Sequence, residues 1–172
     1  MRMHLIVAAM AGVVGAATAM AAPLIGQASI IDGDTIEIHG QRVRLWGIDA
    51  PESSQLCRNA NSDLYRCGAK AANALANHVA GKPVRCESVD RDRYGRTVAR
   101  CFVGGVDMAE WLVRSGLAVD WPRYSKGRYA EAQIEAQRSE QGIWAGTSVN
   151  PWDYRACVGS GGRPASCSDG ER

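Results

Sequence analysis

Residues 31–52 read IDGDTIEIHGQRVRLWGIDAPE. Gly33-Asp34 breaks a preceding β-rich run, Gln27 to Asp32. Thr35-Ile36-Glu37-Ile38 alternates polar and apolar side chains, as a half-buried strand does. His39-Gly40 fits a hairpin turn. Arg42-Val43-Arg44-Leu45-Trp46 alternates again and ends at Gly47-Ile48-Asp49. Successive strand residues point to opposite faces, so Arg42, Arg44 and Trp46 share one face and Val43, Leu45 and Gly47 the other. The stretch is a strand pair with three carboxylates at element ends, Asp34, Asp49 and Glu52. Arg44 lies on its second strand, five residues before Asp49.

Downstream of Pro51 a polar loop is expected to about Gly68, holding Cys57 and Cys67. Ala72, Leu75, Ala76 and Val79 fall at i, i+3, i+4, i+7, which predicts a helix over 69–79. Gly81 stops it and Pro83 follows. Val84 to Val89 and Thr97 to Val103 read as strands around a turn at Asp92–Gly95. Folded symmetrically about the Arg93–Tyr94 bond, they set Cys86 directly opposite Cys101. Opposed residues of an antiparallel pair have Cβ atoms about 4.5–5.5 Å apart, near disulfide range. Val106 to Leu117 is amphipathic, with Met108, Trp111, Leu112 and Ser115 on one face. Ala118 to Lys126 reads as an irregular aromatic segment. A second amphipathic helix is expected over 128–141, with Ala130, Ile134 and Ala136 among charged residues. Trp144 follows as an anchor in the core. From Ser148 the chain is rich in Gly, Ser and Pro, and an irregular tail is expected.

The order β-β-β-α-β-β-α-α predicts an α+β chain with a mainly β core. It matches a five-stranded Greek-key barrel of the OB type, with three helices and a disulfide-tied C-terminal tail. OB barrels often bind nucleic acid, but a fold alone fixes no chemistry.

The 172 residues suit one domain with tails. Three segments are expected: a leader at 1–22, the barrel domain at 23–147 and the tail at 148–172. The leader reads as a cleaved export signal: Arg2, then an apolar run, then the A-x-A sites Ala17-Thr18-Ala19 and Ala19-Met20-Ala21. Its apolar run is shorter than the ~20 residues a membrane span needs. A periplasmic or extracellular destination follows, without stable membrane association after cleavage. A formal charge of +2 is too small to argue for a nucleic-acid partner by itself. Six cysteines in an exported chain point to disulfides rather than zinc. Of the 15 formal pairings, proximity along the chain favours Cys57–Cys67, Cys86–Cys101 and Cys157–Cys167. The hairpin register supports the middle pair independently.

The carboxylates come first in the chemistry. Asp34 and Asp49, with a carbonyl and waters, would form an oxygen-only site for a hard cation. Calcium tolerates irregular ligation of this kind; magnesium needs a tighter octahedron. Read without chemistry, Asp34 is a turn residue and Asp49 a cap. Arg44 sits among apolar residues, where an unpaired cation is costly; as a plain surface residue it would pair with Glu37. Arg96 follows a glycine in the second hairpin and can reach back over the barrel, or else stay exposed. Guanidinium forks match phosphate bidentately and stay charged at any working pH.

DGDT, then VRLWGIDAPE, then DRYGR resemble the signatures of the staphylococcal nuclease (thermonuclease) family. The resemblance covers about Ile30 to Trp144. In the family pattern an arginine stands five residues before a metal-binding aspartate and eight before a catalytic glutamate, as Arg44, Asp49 and Glu52 do. The resemblance implies a calcium-dependent endonuclease that cuts DNA and RNA with little sequence preference and leaves 3′-phosphate ends. It implies Ca²⁺ ligation by Asp34, Asp49 and the carbonyl of Ala50. It further implies Glu52 as the general base, and Arg44 and Arg96 as the phosphate clamp. Tyr94 matches a nucleotide-contacting tyrosine. Trp121 and Tyr124 correspond loosely to a substrate-binding tyrosine pair, with Pro122 between them. Stacking on such rings favours single strands. A monomer is expected. The six cysteines are additional to the family pattern and read as stabilising. The competing reading is a non-catalytic OB module that binds nucleic acid or protein; it leaves the full set of acids and arginines unexplained.

Overall fold

The computed structural model describes residues 22–168. The expected export segment, except for Ala22, lies outside the described residues. Among the described residues no helix is long and apolar enough to cross a membrane.

The chain opens with β1 (Leu24–Ile30), followed by β2 (Thr35–Ile38) and β3 (Gln41–Leu45). Ile38 pairs with Gln41 and Thr35 with Arg44, so His39 and Gly40 alone form the β2–β3 turn. Both have positive φ, 53° and 77°, as a two-residue hairpin matched to strand twist requires. Val43 and Leu45 are buried while Arg44 is only half-buried, as the strand parity demanded. Gly47 (φ 79°) turns the chain into β4 (Ile48–Asp49).

Residues expected to form a loop before Gly68 instead hold a small hairpin, β5 (Leu56–Arg58) and β6 (Leu64–Arg66). Its turn is built by Asn59, whose Oδ1 accepts from the amides of Asn61 and Asp63, both at 2.9 Å. The Cys57–Cys67 disulfide closes its base. Helix α1 (Cys67–Val79) starts at that cysteine and buries Cys67, Gly68, Ala71, Leu75 and Val79. Of the expected stripe Leu75 and Val79 face the core, while Ala72 is only half-buried, Ala76 is exposed and Ala71 is buried instead.

Strands β7 (Pro83–Arg91) and β8 (Thr97–Val103) form the second hairpin. Cys86 stands opposite Cys101 and is bonded to it. The symmetry about Arg93–Tyr94 holds only as far as Ser88↔Ala99. A bulge then shifts the register, and Asp90 pairs with Val98. Val89 is the extra residue, and it is exposed.

Next come β9 (Val106–Asp107) and α2 (Met108–Arg114). The expected helix over 106–117 is shorter because Asp107 caps it, accepting from the amides of Ala109 and Glu110, and Gly116 (φ 62°) ends it. Its buried face is Met108, Ala109, Leu112 and Val113; Trp111 is only half-buried. The segment expected to be irregular holds β10 (Val119–Asp120), which pairs with β4, and α3 (Pro122–Ser125). Helix α4 (Ala130–Arg138) buries Ala132 and Ala136 and leaves Ile134 exposed. A 3-10 turn (Gly142–Ala145) buries Ile143, with Trp144 packed partly against it. The tail is not irregular. It forms α5 (Pro151–Gly159) and α6 (Pro164–Ser168), joined by Cys157–Cys167. Pro151 at the first turn supplies a preset φ, which starts α5 in spite of the Gly/Ser-rich surroundings.

The strand order β3-β2-β1-β7-β8 closes through a parallel β3–β8 pairing. This is the five-stranded OB-type barrel expected, with six α-helices among the described residues rather than three. Ile36, Ile38, Val43, Leu45, Val84, Ala99 and Val103 fill it, Leu75 of α1 and Leu112 of α2 join the same core, and the Cys86–Cys101 bond is buried within it. All three disulfides follow proximity along the chain.

Replacing Cys86 and Cys101 together by alanine should lower unfolding stability by about 3 kcal/mol, the loop-closure term for this loop length. Urea denaturation of the oxidised proteins measures it; coincident midpoints would show that the bond contributes nothing.

Candidate active site

Asp34 enters β2 through an Asx turn in which the Asp34 amide donates to Asp32 Oδ1 (3.0 Å). Gly33 before it has no room for a Cβ, which would stand 2.7 Å from Ala50 Cβ. This close approach sets the Asp34 turn against the chain that follows β4. The Ala50 amide donates to Asp34 Oδ2 (3.0 Å), and Thr35 Oγ1 donates to Asp34 Oδ1 (3.2 Å).

Arg44 crosses between the two aspartates. Its Nη2 donates to Asp34 Oδ2 at 3.0 Å and to Asp49 Oδ1 at 2.8 Å. The alternative partner, Glu37, pairs with Arg42 instead, loosely at 3.9 Å. Asp49 is fully buried, and the Arg44 side chain is 18% exposed. Among the described residues, Nε and Nη1 of Arg44 carry no hydrogen bond. One edge of the fork holds the acids and the rest is left for another acceptor. Burial disfavours the Arg44 charge, but Asp34 and Asp49 outweigh it and raise its pKa.

Burial pushes the Asp34 carboxyl up to about 7; Arg44 and the Ala50 amide pull it down, while Asp32 and Asp49 push it further up. Two oxygen-donor carboxylates side by side fit a hard divalent cation. Among the described residues no three carboxylate, imidazole or thiolate side chains converge on one point. A cation here would draw on Asp34, Asp49, backbone carbonyl and water, an all-oxygen donor set for a hard cation.

Glu52 sits on the loop after Pro51, and that loop is held by Gln55. Gln55 is fully buried; its Oε1 accepts from the Glu52 amide (3.1 Å) and its Nε2 donates to the Val149 carbonyl (2.7 Å). Gly68 of α1 lies beneath: a Cβ there would fall 1.9 Å from the Glu52 carbonyl oxygen.

Residues 31–52 gave no sign of Arg155, which α5 delivers to this site. Arg155 Nη1 donates to Asp49 Oδ1 (3.0 Å) and to Glu52 Oε1 (2.8 Å), and Nη2 donates to Asp49 Oδ2 (2.8 Å). Burial disfavours its charge, yet the bonds to Asp49 and Glu52 raise its pKa. Two local signals were present, Pro151 as a helix start and Trp152 with Arg155 at i, i+3 on one face. Neither points to Asp49, which is 106 residues away.

Arg96 does not join the acids directly. Its Nε donates to Asp92 Oδ2 (2.6 Å) and its amide to Asp92 Oδ1 (2.9 Å). Burial would raise the Asp92 pKa, but these bonds to Arg96 outweigh it and hold the carboxyl below its usual range. The pairings Val43↔Thr97 and Arg44↔Val98 bring Arg96 to the level of Arg42, two residues from Arg44 along β3. Gln41, Arg42, Arg91, Tyr94, Arg96 and Thr97 line a groove of about 270 Å³. Tyr94 is 69% exposed at its rim, with the Arg93 and Arg96 guanidinium groups 4.8 and 5.7 Å from its ring.

Trp121 and Tyr124 pack edge to face at 4.6 Å. Trp152 of α5 stacks on Trp121 at 5.8 Å, and the Arg155 guanidinium lies 5.7 Å from the Trp121 ring. The aromatic pair therefore borders the acid cluster through the tail.

The staphylococcal nuclease homologue family matches residues 42–146. This chain belongs to that family. It is 35% identical over 125 residues to a thermonuclease of Staphylococcus intermedius, covering 67% of this chain and 72% of that protein. It is 32% identical over 133 residues to an uncharacterized endonuclease of Escherichia coli, covering 73% of this chain and 80% of that one. It is 48% identical over 149 residues to the succinoglycan biosynthesis protein ExoI of Rhizobium meliloti (strain 1021), covering 86% and 77%. The family match ends before α5, so Arg155 and Trp152 stand outside it.

Gly68→Ala should displace the Glu52 loop and cost about 1–3 kcal/mol, the usual range for overpacking. Chemical denaturation tests this, and a wild-type midpoint would mean that α1 and the loop part without penalty.

Proposed function

We propose that this chain is an exported calcium-dependent endonuclease acting on DNA and RNA with little sequence preference, single strands being favoured, and leaving 3′-phosphate ends. Family membership supports a phosphodiesterase-type hydrolase. The observation that carries the reading is the divided use of the arginines. Arg44 is anchored on Asp34 and Asp49 through one nitrogen, and Arg96 on Asp92 through Nε. Each keeps guanidinium donors for phosphate oxygens. In a site that excludes water, donors fixed in advance on a developing negative charge are the larger part of catalysis.

In this reading Asp34, Asp49 and the Ala50 carbonyl hold the cation, which when bound would supply Lewis-acid charge next to a phosphate oxygen. Arg44 and Arg96 bind the equatorial oxygens and stabilise the charge that builds there. Glu52 takes the proton from the attacking water, its backbone fixed by Gln55. Tyr94, Trp121 and Tyr124 offer rings on which bases stack. The oxidised pairs Cys57–Cys67 and Cys157–Cys167 hold the Glu52 loop and the tail, which supports a periplasmic or extracellular setting.

The name of the ExoI relative favours a second reading, in which the chain serves succinoglycan or a like polysaccharide. The same assay separates the two, because a protein without nuclease action leaves nucleic acid intact.

Single-stranded DNA incubated with the purified protein should be cut with Ca²⁺ and left whole with EGTA. Equal cleavage in both would remove the metal from the mechanism. Glu52→Gln should keep the fold, read by circular dichroism, and lose about 10²–10⁴-fold in rate, the usual worth of a general base. Full retained activity would exclude Glu52 from that role.

A further inference from the structure

Three contacts seat the tail, residues 149–168, on the loop that carries Glu52. Tyr154, buried, shares a hydrogen bond with Ser54 Oγ at 2.8 Å. Gln55 binds the Val149 carbonyl, and Ser168 Oγ accepts from the Leu56 amide at 2.9 Å. Cys157–Cys167 ties α5 to α6. The tail on either side of α5 and the helix itself are thus anchored at Ser54, Gln55 and Leu56, close after Glu52, and Arg155 is held at the acids as a tethered group with a high effective concentration.

Arg155 meets both oxygens of Asp49, and Arg44 meets Oδ1 as well. A guanidinium fork occupying both oxygens of a carboxylate leaves little of it for a cation. The two guanidinium groups differ in exposure. Arg44 is 18% exposed and bridges two buried aspartates, whereas Arg155 is 36% exposed and its second partner, Glu52, is 38% exposed. Water can reach Arg155 and take over its hydrogen bonds when it leaves Asp49; Arg44 has no such exit.

We infer that Arg155 is a built-in competitor of the divalent cation for Asp49, so that cation binding and release of Arg155 from Asp49 and Glu52 are one linked event. The inference rests on the reading that Asp34 and Asp49 hold the cation. It adds a consequence for Glu52. Paired with Arg155, Glu52 has its Oε1 taken up by the guanidinium at 2.8 Å; once Arg155 withdraws, that oxygen is open to water. The site would expose Glu52 only when the cation is in place. Trp121, 5.7 Å from the guanidinium, offers a face on which it can rest. Reciprocity requires that whatever Arg155 costs the cation, the cation costs Arg155.

The test is a calorimetric Ca²⁺ titration of the oxidised protein, its Arg155→Gln and Arg155→Lys variants, and Asp49→Asn as the control that removes the ligand. Arg155→Gln should bind Ca²⁺ about tenfold more tightly than wild type, the scale of losing charge-assisted hydrogen bonds at a half-exposed position. Arg155→Lys, which keeps the charge but not the fork, should fall between them and serves as the reading should the glutamine variant not fold. Affinity in both variants equal to or below wild type, with wild type binding and Asp49→Asn not, would overturn the competition and leave the cation reading standing. No binding by wild type or by either variant would overturn both.

Discussion

One nitrogen of Arg44 holds two strand ends together. Asp34 closes the turn into β2 and Asp49 ends β4, and both carboxylates are buried. Two such groups side by side would repel and would each lose hydration. The Nη2 atom of Arg44 bridges them at 3.0 and 2.8 Å, and the Ala50 amide adds a further donor to Asp34. Burial still pushes the Asp34 carboxyl up to about 7 against the pull of Arg44 and the Ala50 amide. Removing one partner of a buried ion pair commonly costs about 3–5 kcal/mol, because the other charge is left uncompensated. The arrangement is therefore structural and chemical at once.

Close backbone approaches translate that bridge into a site. Gly33 lets the Asp34 turn touch Ala50, and Gly68 lets α1 lie against the Glu52 carbonyl. Gln55, an uncharged but fully buried side chain, spans from the Glu52 amide to the Val149 carbonyl. The loop with the general-base candidate is thus fixed from three sides. The tail completes it, since α5 packs Tyr154 against Ser54 and sends Arg155 to Asp49 and Glu52. Arg96, the second arginine of the proposed clamp, is held separately on its own hairpin by Asp92. Closure of the barrel through β3 and β8 sets that hairpin beside Arg44.

Much of this was legible in residues 31–52. The alternation of Arg42 to Trp46 fixed which face Arg44 occupies, and Gly40 marked a turn whose φ only glycine or a small set of residues adopts with ease. The opposition of Cys86 and Cys101 followed from hairpin symmetry, although the bulge at Val89 breaks that symmetry nearer the tip. The helical stripes were read less well. In α1 and α4 small alanines dominate, and alanine marks an inward face only weakly because it loses little by exposure; Ala72 and Ala76 were chosen where Ala71 faces the core. The tail was misjudged because its Gly/Ser composition outweighed the local start signal at Pro151.

What the sequence determined by itself was local: strand parity, turn positions, the pairing of nearby cysteines, and the order of elements that suits an OB barrel. These depend on side-chain geometry and propensity within a few residues. That Asp34 and Asp49 stand together was expected, since both lie at the ends of one hairpin and its exit; the bridge of Arg44 to both of them was not. The pairing of Arg155 with Asp49 and Glu52, and the burial of Gln55 between two distant backbone segments, were decided only by tertiary structure. Electrostatic contacts of that kind carry no periodicity and no preferred spacing along the chain, so only the packing of α5 on the Glu52 loop reveals them.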